Sequence, residues 1–276
     1  MINIKEHELL YKRIKDMNRL SFGEFALPGE DRLIARYKFI IAIRENAPEV
    51  LTDLKAYIEK YEMLVPHLEL SSKRKQWFTL EDLKNITQTS QLATEFMNSL
   101  VLWSIKWNLK EEWILSTAFH IITSWNINPE LINDLIIHPA ELEEYFNRRK
   151  KELKKIANHQ SFSKLQFKPF NPAAEIKKEY VGRINDDIYI LEEIFIENGW
   201  VRSKGKRDSG GSIQKHFDWI VRYQIHHESY KIIAQAYIDS DPNGEIDISA
   251  AGIKKAIQRV AKDIGISLRE GNKKGT

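Results

Sequence analysis

In the first half of the chain apolar residues recur at steps of three and four, and this period restricts the fold to packed helices. From Glu30 to Ala47 the repeat is Leu33, Ile34, Tyr37, Ile40, Ile41 and Ile43. After Pro48 it resumes as Val50, Leu51, Leu54, Tyr57, Ile58 and Tyr61. Each series fills one face of a helix with 3.6 residues per turn. Only 12 Gly and 8 Pro punctuate 276 residues, which leaves segments too long for a sandwich or barrel of short strands. Pro66 is expected to close the first pair of helices. Thr79 followed by Asp82 offers an N-cap with an acidic first turn for a longer helix running toward Trp107. A break at Asn108 precedes a helix with Trp113, Ile114, Leu115, Ala118, Ile121, Ile122 and Trp125; Asn128-Pro129 and His138-Pro139 mark two further starts.

The expected class is therefore all-α, an N-terminal helical bundle over residues 1–157. Apolar residues at 42 % and charged residues at 29 % fit a globular chain with real cores. With no Cys, thiolate metal sites, disulfides and cysteine nucleophiles are excluded. The opening MINIKEHELLYKRIK carries charges where a signal peptide needs an apolar run, and no stretch approaches the roughly 18 apolar residues of a bilayer span. A cytoplasmic protein without a membrane partner is expected.

Charge is distributed unevenly. Residues 1–147 carry 17 basic and 22 acidic side chains, 148–178 carry 10 and 2, 179–200 carry 1 and 6, and 201–276 carry 14 and 9. Such alternation points to separate surfaces with different partners, and basic clusters are candidates for phosphate contact. The run Arg148 to Lys151 with Lys154 and Lys155 is also what an ordinary solvated helix face looks like. Residues 158–200 read as a connector pinned by aromatics, then a linking helix from about Ala174 to Glu197. On that helix Ile176, Tyr180, Ile184, Ile188, Leu191 and Ile194 are expected to face inward, and Asn198-Gly199 to stop it. A basic linker follows from Arg202 to Gly211.

Residues 201–276 form the third part, the linker and three short helices. Ser212 caps the first, with Phe217, Ile220 and Val221 inside; the polar His226-His227-Glu228 breaks it. Ser229 starts the second, and Asp239 to Gly244 is a dense turn signal. Ser249 starts the third, with Ile253, Ile257, Val260, Ala261 and Ile264 on one stripe and Lys254, Lys255, Gln258, Arg259 and Lys262 on the other.

The stretch YQIHHESYKIIAQA at Tyr223 to Ala236 resembles the first two helices of the helix-turn-helix region that ends bacterial sigma factors and related regulators. The likeness covers about 65 residues. It implies that small Ala234 lets the second helix approach the third. It also implies that Ala250, Ala251, Lys254, Lys255, Gln258 and Arg259 face the major groove of double-stranded DNA. Lys or Arg reads guanine edges and Gln reads adenine. Lys262, Lys231 and the linker's Lys204, Lys206 and Arg207 would meet phosphates. The connection between the last two helices is about ten residues, longer than the three or four usual for the motif.

Other signals are weaker. Asp239, Asp241, Asn243, Gly244, Ile246 and Asp247 match positions 1, 3, 5, 6, 8 and 9 of a calcium-binding EF-hand loop, but Ala250 stands where a bidentate carboxylate is needed. Adjacent His226 and His227 diverge and cannot ligate one metal, and no HExxH occurs. Trp103, Trp107, Trp113 and Trp125 are expected in the core rather than around a ligand. The pairs Asp186-Asp187 and Glu192-Glu193 read as solvated surface. No nucleophile elbow, phosphate loop, dinucleotide fingerprint or kinase set appears, so no catalytic residue, metal or cofactor is assigned. The leading expectation is a transcriptional or phage-type DNA-binding regulator whose bundle senses a partner or self-associates. The competing one is a helical protein adaptor that binds no nucleic acid.

Overall fold

A computed structural model of the chain describes residues 25–26, 29–71, 77–135, 148–149, 151–156, 158–160, 177–202, 210–240 and 248–270. They are mostly helical, as expected, and divide into two compact units: residues 1–34 with 139–207, and residues 35–138 with 208–276. These boundaries fall at different points from the division at 157 and 200.

In the larger unit, helix α1 (Glu30–Asn46, whose first residues belong to the other unit) stops because Pro48 pushes Ala47 out of helical geometry, at φ −146°. Phe39 to Ile43 are all buried, so this turn has no solvent face. The following series is not one helix. It splits at Ala56-Tyr57 into α2 (Pro48–Lys55) and α3 (Ile58–Ser71). Pro66 does not end α3, against expectation. It forfeits one hydrogen bond on the exposed side, while Leu64 and Leu68 are fully buried across that turn and hold the helix in register.

Thr79 caps α4 (Leu80–Ile86) in a reciprocal box with Asp82, whose carboxylate accepts the Thr79 N–H at 2.7 Å. The expected long helix is interrupted at 87–90, and Ser90 caps a new one, α5 (Gln91–Lys106). Asn108 breaks the chain in left-handed geometry, φ 55°. Helix α6 (Glu112–Ile127) and the short α7 (Glu130–Asn133) follow. His138-Pro139 lies outside the described residues. Trp103 and Trp125 are buried in the core, as expected, and the Trp103 indole donates to the Val50 carbonyl at 3.0 Å.

The end of the chain contributes α9 (Gly210–Gln224), α10 (Tyr230–Asp239) and α11 (Ala250–Ile264), each packed on the other two. Their buried side chains join those of the bundle in one hydrophobic cluster, from Phe39 to Leu131 and from Phe217 to Ile266.

The smaller unit holds α8 (Lys177–Glu197), stopped by Gly199 at φ 78°, and helical residues 148–149 and 151–156. A two-residue antiparallel ladder pairs Phe25 with Arg202 and Ala26 with Val201. Trp200 is buried, with the Arg149 guanidinium 5.2 Å from its ring and Phe195 edge-on at 5.1 Å. Two expectations for α8 are corrected: Ile188 is exposed and Asp187 is buried. Neighbouring helical residues point 100° apart, so an acidic pair cannot lie wholly on one face. No described helix is long and apolar enough to cross a membrane.

Candidate nucleic-acid interface

Helix α11 has two chemically separate sides. Ser249 caps it, its hydroxyl accepting the Gly252 N–H at 3.1 Å, so the first turn is closed without an acidic residue. Ile253, Ile257, Val260, Ala261 and Ile264 are buried against α9 and α10. On the other side Ala251, Lys254, Lys255, Gln258, Arg259 and Lys262 are all exposed; Ala250 is half-buried. At 100° per residue the exposed set spans an arc of roughly 140°, a width that suits a helix laid in a groove. Arg259 is 4.0 Å from Asp263 one turn on.

Lys231, on α10, is also exposed. Ser229 caps that helix, accepting from the Ile232 N–H at 3.3 Å, and Ala234 is buried where α10 meets the cluster. Ile232, by contrast, is exposed. Linker residues Lys204, Lys206 and Arg207 lie outside the described residues, as do 241–247 of the Asp-rich loop. Asp239, the first position of that loop, receives a hydrogen bond from Gln235 at 2.7 Å.

What the residue pattern did not foretell is how this three-helix unit is fixed to the bundle. Arg36 donates to the Ile264 carbonyl at 3.0 Å and Trp113 to the Gly265 carbonyl at 3.1 Å, while the guanidinium lies 4.7 Å from the indole. A cation thus meets the negative end of the α11 dipole. Gln224, fully buried, donates to the carbonyls of Asn108 (2.7 Å) and Ser267 (3.1 Å) and accepts the Arg269 N–H at 2.9 Å.

The two adjacent histidines diverge to different corners of the bundle. His226 Nε2 is 2.8 Å from the Asn46 carbonyl oxygen, and His227 Nε2 is 3.2 Å from the Asn108 amide. The Arg269 guanidinium sits 4.2 Å from the Tyr223 ring, which stacks on Tyr230 at 4.6 Å; burial raises the Tyr230 hydroxyl above its usual range. These contacts use the C-terminal end of α11 and the turn before α10, and leave the basic side of α11 uncovered.

Elsewhere in this unit, Trp113 and Arg36 border an open groove with Thr79, Glu81, Lys84 and Glu112. Lys84 is bonded to Glu112 there. Trp107 donates to Asp53 at 3.0 Å, so the four tryptophans divide between core and surface instead of lining one pocket. Among the described residues no group of three or more His, Asp or Glu is placed to hold a metal.

A comparison with protein-family models returns no match, and comparisons with curated proteins and with solved structures also return none.

Proposed function

We propose that the protein is a DNA-binding regulator that acts in the cytoplasm, with α10 and α11 working as a helix-turn-helix and α11 entering the major groove of double-stranded DNA. The sigma-factor likeness of residues 223–236 motivates the assignment. The observation that carries it is the exposure of Lys254, Lys255, Gln258, Arg259 and Lys262 on a helix whose apolar side is sealed. A helix presented in this way needs no rearrangement to meet a duplex. Lys262 and Lys231 bind phosphates, and Lys254, Lys255, Gln258 and Arg259 reach base edges. The bundle supplies the platform and the surface for a regulatory partner.

The test uses the full chain, since α9 to α11 share their core with the bundle. Fluorescence anisotropy of a labelled random-sequence duplex is measured over a salt series. Affinity is expected to fall linearly with salt on logarithmic axes, and Lys231→Glu with Lys262→Glu to lower the slope by about 1.8. Binding that ignores salt, or that the paired change leaves intact, rejects the assignment.

A further inference from the structure

The face of α8 opposite buried Asp187 and Ile194 carries a stripe that does not belong on a solvated helix. Val181, Ile188, Tyr189 and Ile196 are 46, 47, 62 and 56 % exposed. At 100° per residue these four fall within an arc of about 100°, with Asn185 and Glu192 between them. The order of the stripe is self-complementary on reversal. A second α8, turned about a point midway between 188 and 189, sets Val181 against Ile196, Asn185 against Glu192, and Ile188 against Tyr189, and the reverse pairs likewise. Apolar groups meet apolar groups, and the one carboxamide meets the one carboxylate.

The helix dipoles favour the same arrangement. The last turn of α8 holds Glu197 and no basic residue, which aggravates the negative end of the helix dipole. An antiparallel neighbour brings its own helix N-terminus and its Lys178 to this end. The Tyr189 hydroxyl is already bonded to Glu193 one turn along, so covering the ring strands no donor.

We propose that two copies of this chain associate through α8, antiparallel, about a two-fold axis between Ile188 and Tyr189. The interface is isologous, the same stripe on both copies. Four apolar side chains from each copy make it smaller than the roughly 800 Å² per partner of a standard complex, so the dimer is concentration dependent. The proposal is independent of nucleic-acid binding, because it rests on the smaller unit alone.

Sedimentation equilibrium of the full chain, from low to high micromolar and without DNA, tests it. The mass is expected to rise from one chain of 32.4 kDa toward two. Ile188→Glu sets carboxylates beside the axis and is expected to keep the chain monomeric with an unchanged circular dichroism spectrum, since Ile188 already faces water. The natural chain has no Cys, so register is read by oxidation: mixed Asn185→Cys and Glu192→Cys chains should cross-link to each other in preference to themselves. A chain that stays monomeric throughout, a dimer untouched by Ile188→Glu, or cross-linking that is equal in unmixed samples overturns the proposal.

Discussion

Gln224 on α9 donates its amide to the backbone carbonyl of Asn108, 2.7 Å away, and so joins the end of the chain to the corner between α5 and α6. The same side chain bonds Ser267 and the Arg269 N–H, which uses both amide hydrogens and the oxygen. Gln224→Leu leaves two carbonyls and one N–H to find other partners in a buried place. Unfolding in urea is expected to show a loss of about 2 to 3 kcal/mol. A change within about 0.5 kcal/mol, the range of an ordinary surface site, contradicts the role given to Gln224.

Gln258 is exposed amid the cations of α11 but carries no charge. Replacement by Ala should leave the salt slope of DNA binding unchanged and flatten the preference for adenine at one position, by about 1 to 3 kcal/mol of discrimination. Binding to a randomised duplex pool followed by sequencing reads this directly. A lower slope with unaltered preference would mean that Gln258 is not reading a base.

His120 stacks on Trp77 with ring centroids 5.4 Å apart, and burial pushes its imidazole down to about 4. The unfolded chain, with an ordinary histidine near 6.5, therefore binds the proton first. This residue's effect on stability is nil above about pH 6.5 and becomes a loss as pH falls from there toward 4, reaching about 3 kcal/mol. Urea midpoints for the natural chain and His120→Phe at pH 7.5 and pH 5 check the sign: the natural chain should lose more on acidification. An equal drop in both rules out His120 as a source of acid sensitivity.

Gly265 ends α11 at φ 71°, a conformation that L side chains rarely adopt, with its N–H on the Ala261 carbonyl at 2.9 Å. Gly265→Ala should cost about 1 kcal/mol through backbone strain, since the added methyl has ordinary room near Arg36. Thermal unfolding in the absence of DNA measures this; a melting temperature at or above that of the natural chain would be inconsistent with a strained α11 terminus.

Local signals were legible in the residues. Thr79, Ser229 and Ser249 cap helices because a hydroxyl within reach of an unpaired N–H is a property of three or four neighbouring positions. Breaks at Asn108 and after Gly199, and the separation of Lys254, Lys255, Gln258, Arg259 and Lys262 from the apolar side of α11, are of the same kind. The split at Ala56-Tyr57 was not legible, because the apolar period runs straight across it; the one at 87–90 left a signal that was passed over, the polar run Thr87 to Ser90, whose last residue caps α5. Continuation through Pro66 depended on Leu68 finding a buried place beyond it. Least visible was the attachment of α9 to α11. It is made largely to backbone carbonyls, those of Asn46, Asn108, Ile264 and Gly265, and a carbonyl is present at every position, so it leaves no mark in the order of side chains.

The single cluster running from Phe39 to Leu131 and resuming at Phe217 has a bearing on how the protein is made. Its first helices leave the ribosome well before the stretch that completes their interior has been translated. Through that interval Phe39, Trp113 and their neighbours must wait half wet, held by local caps and a partial core. Synthesis halted near residue 208 would therefore release a polypeptide with an open seam, a natural client for chaperones and proteases.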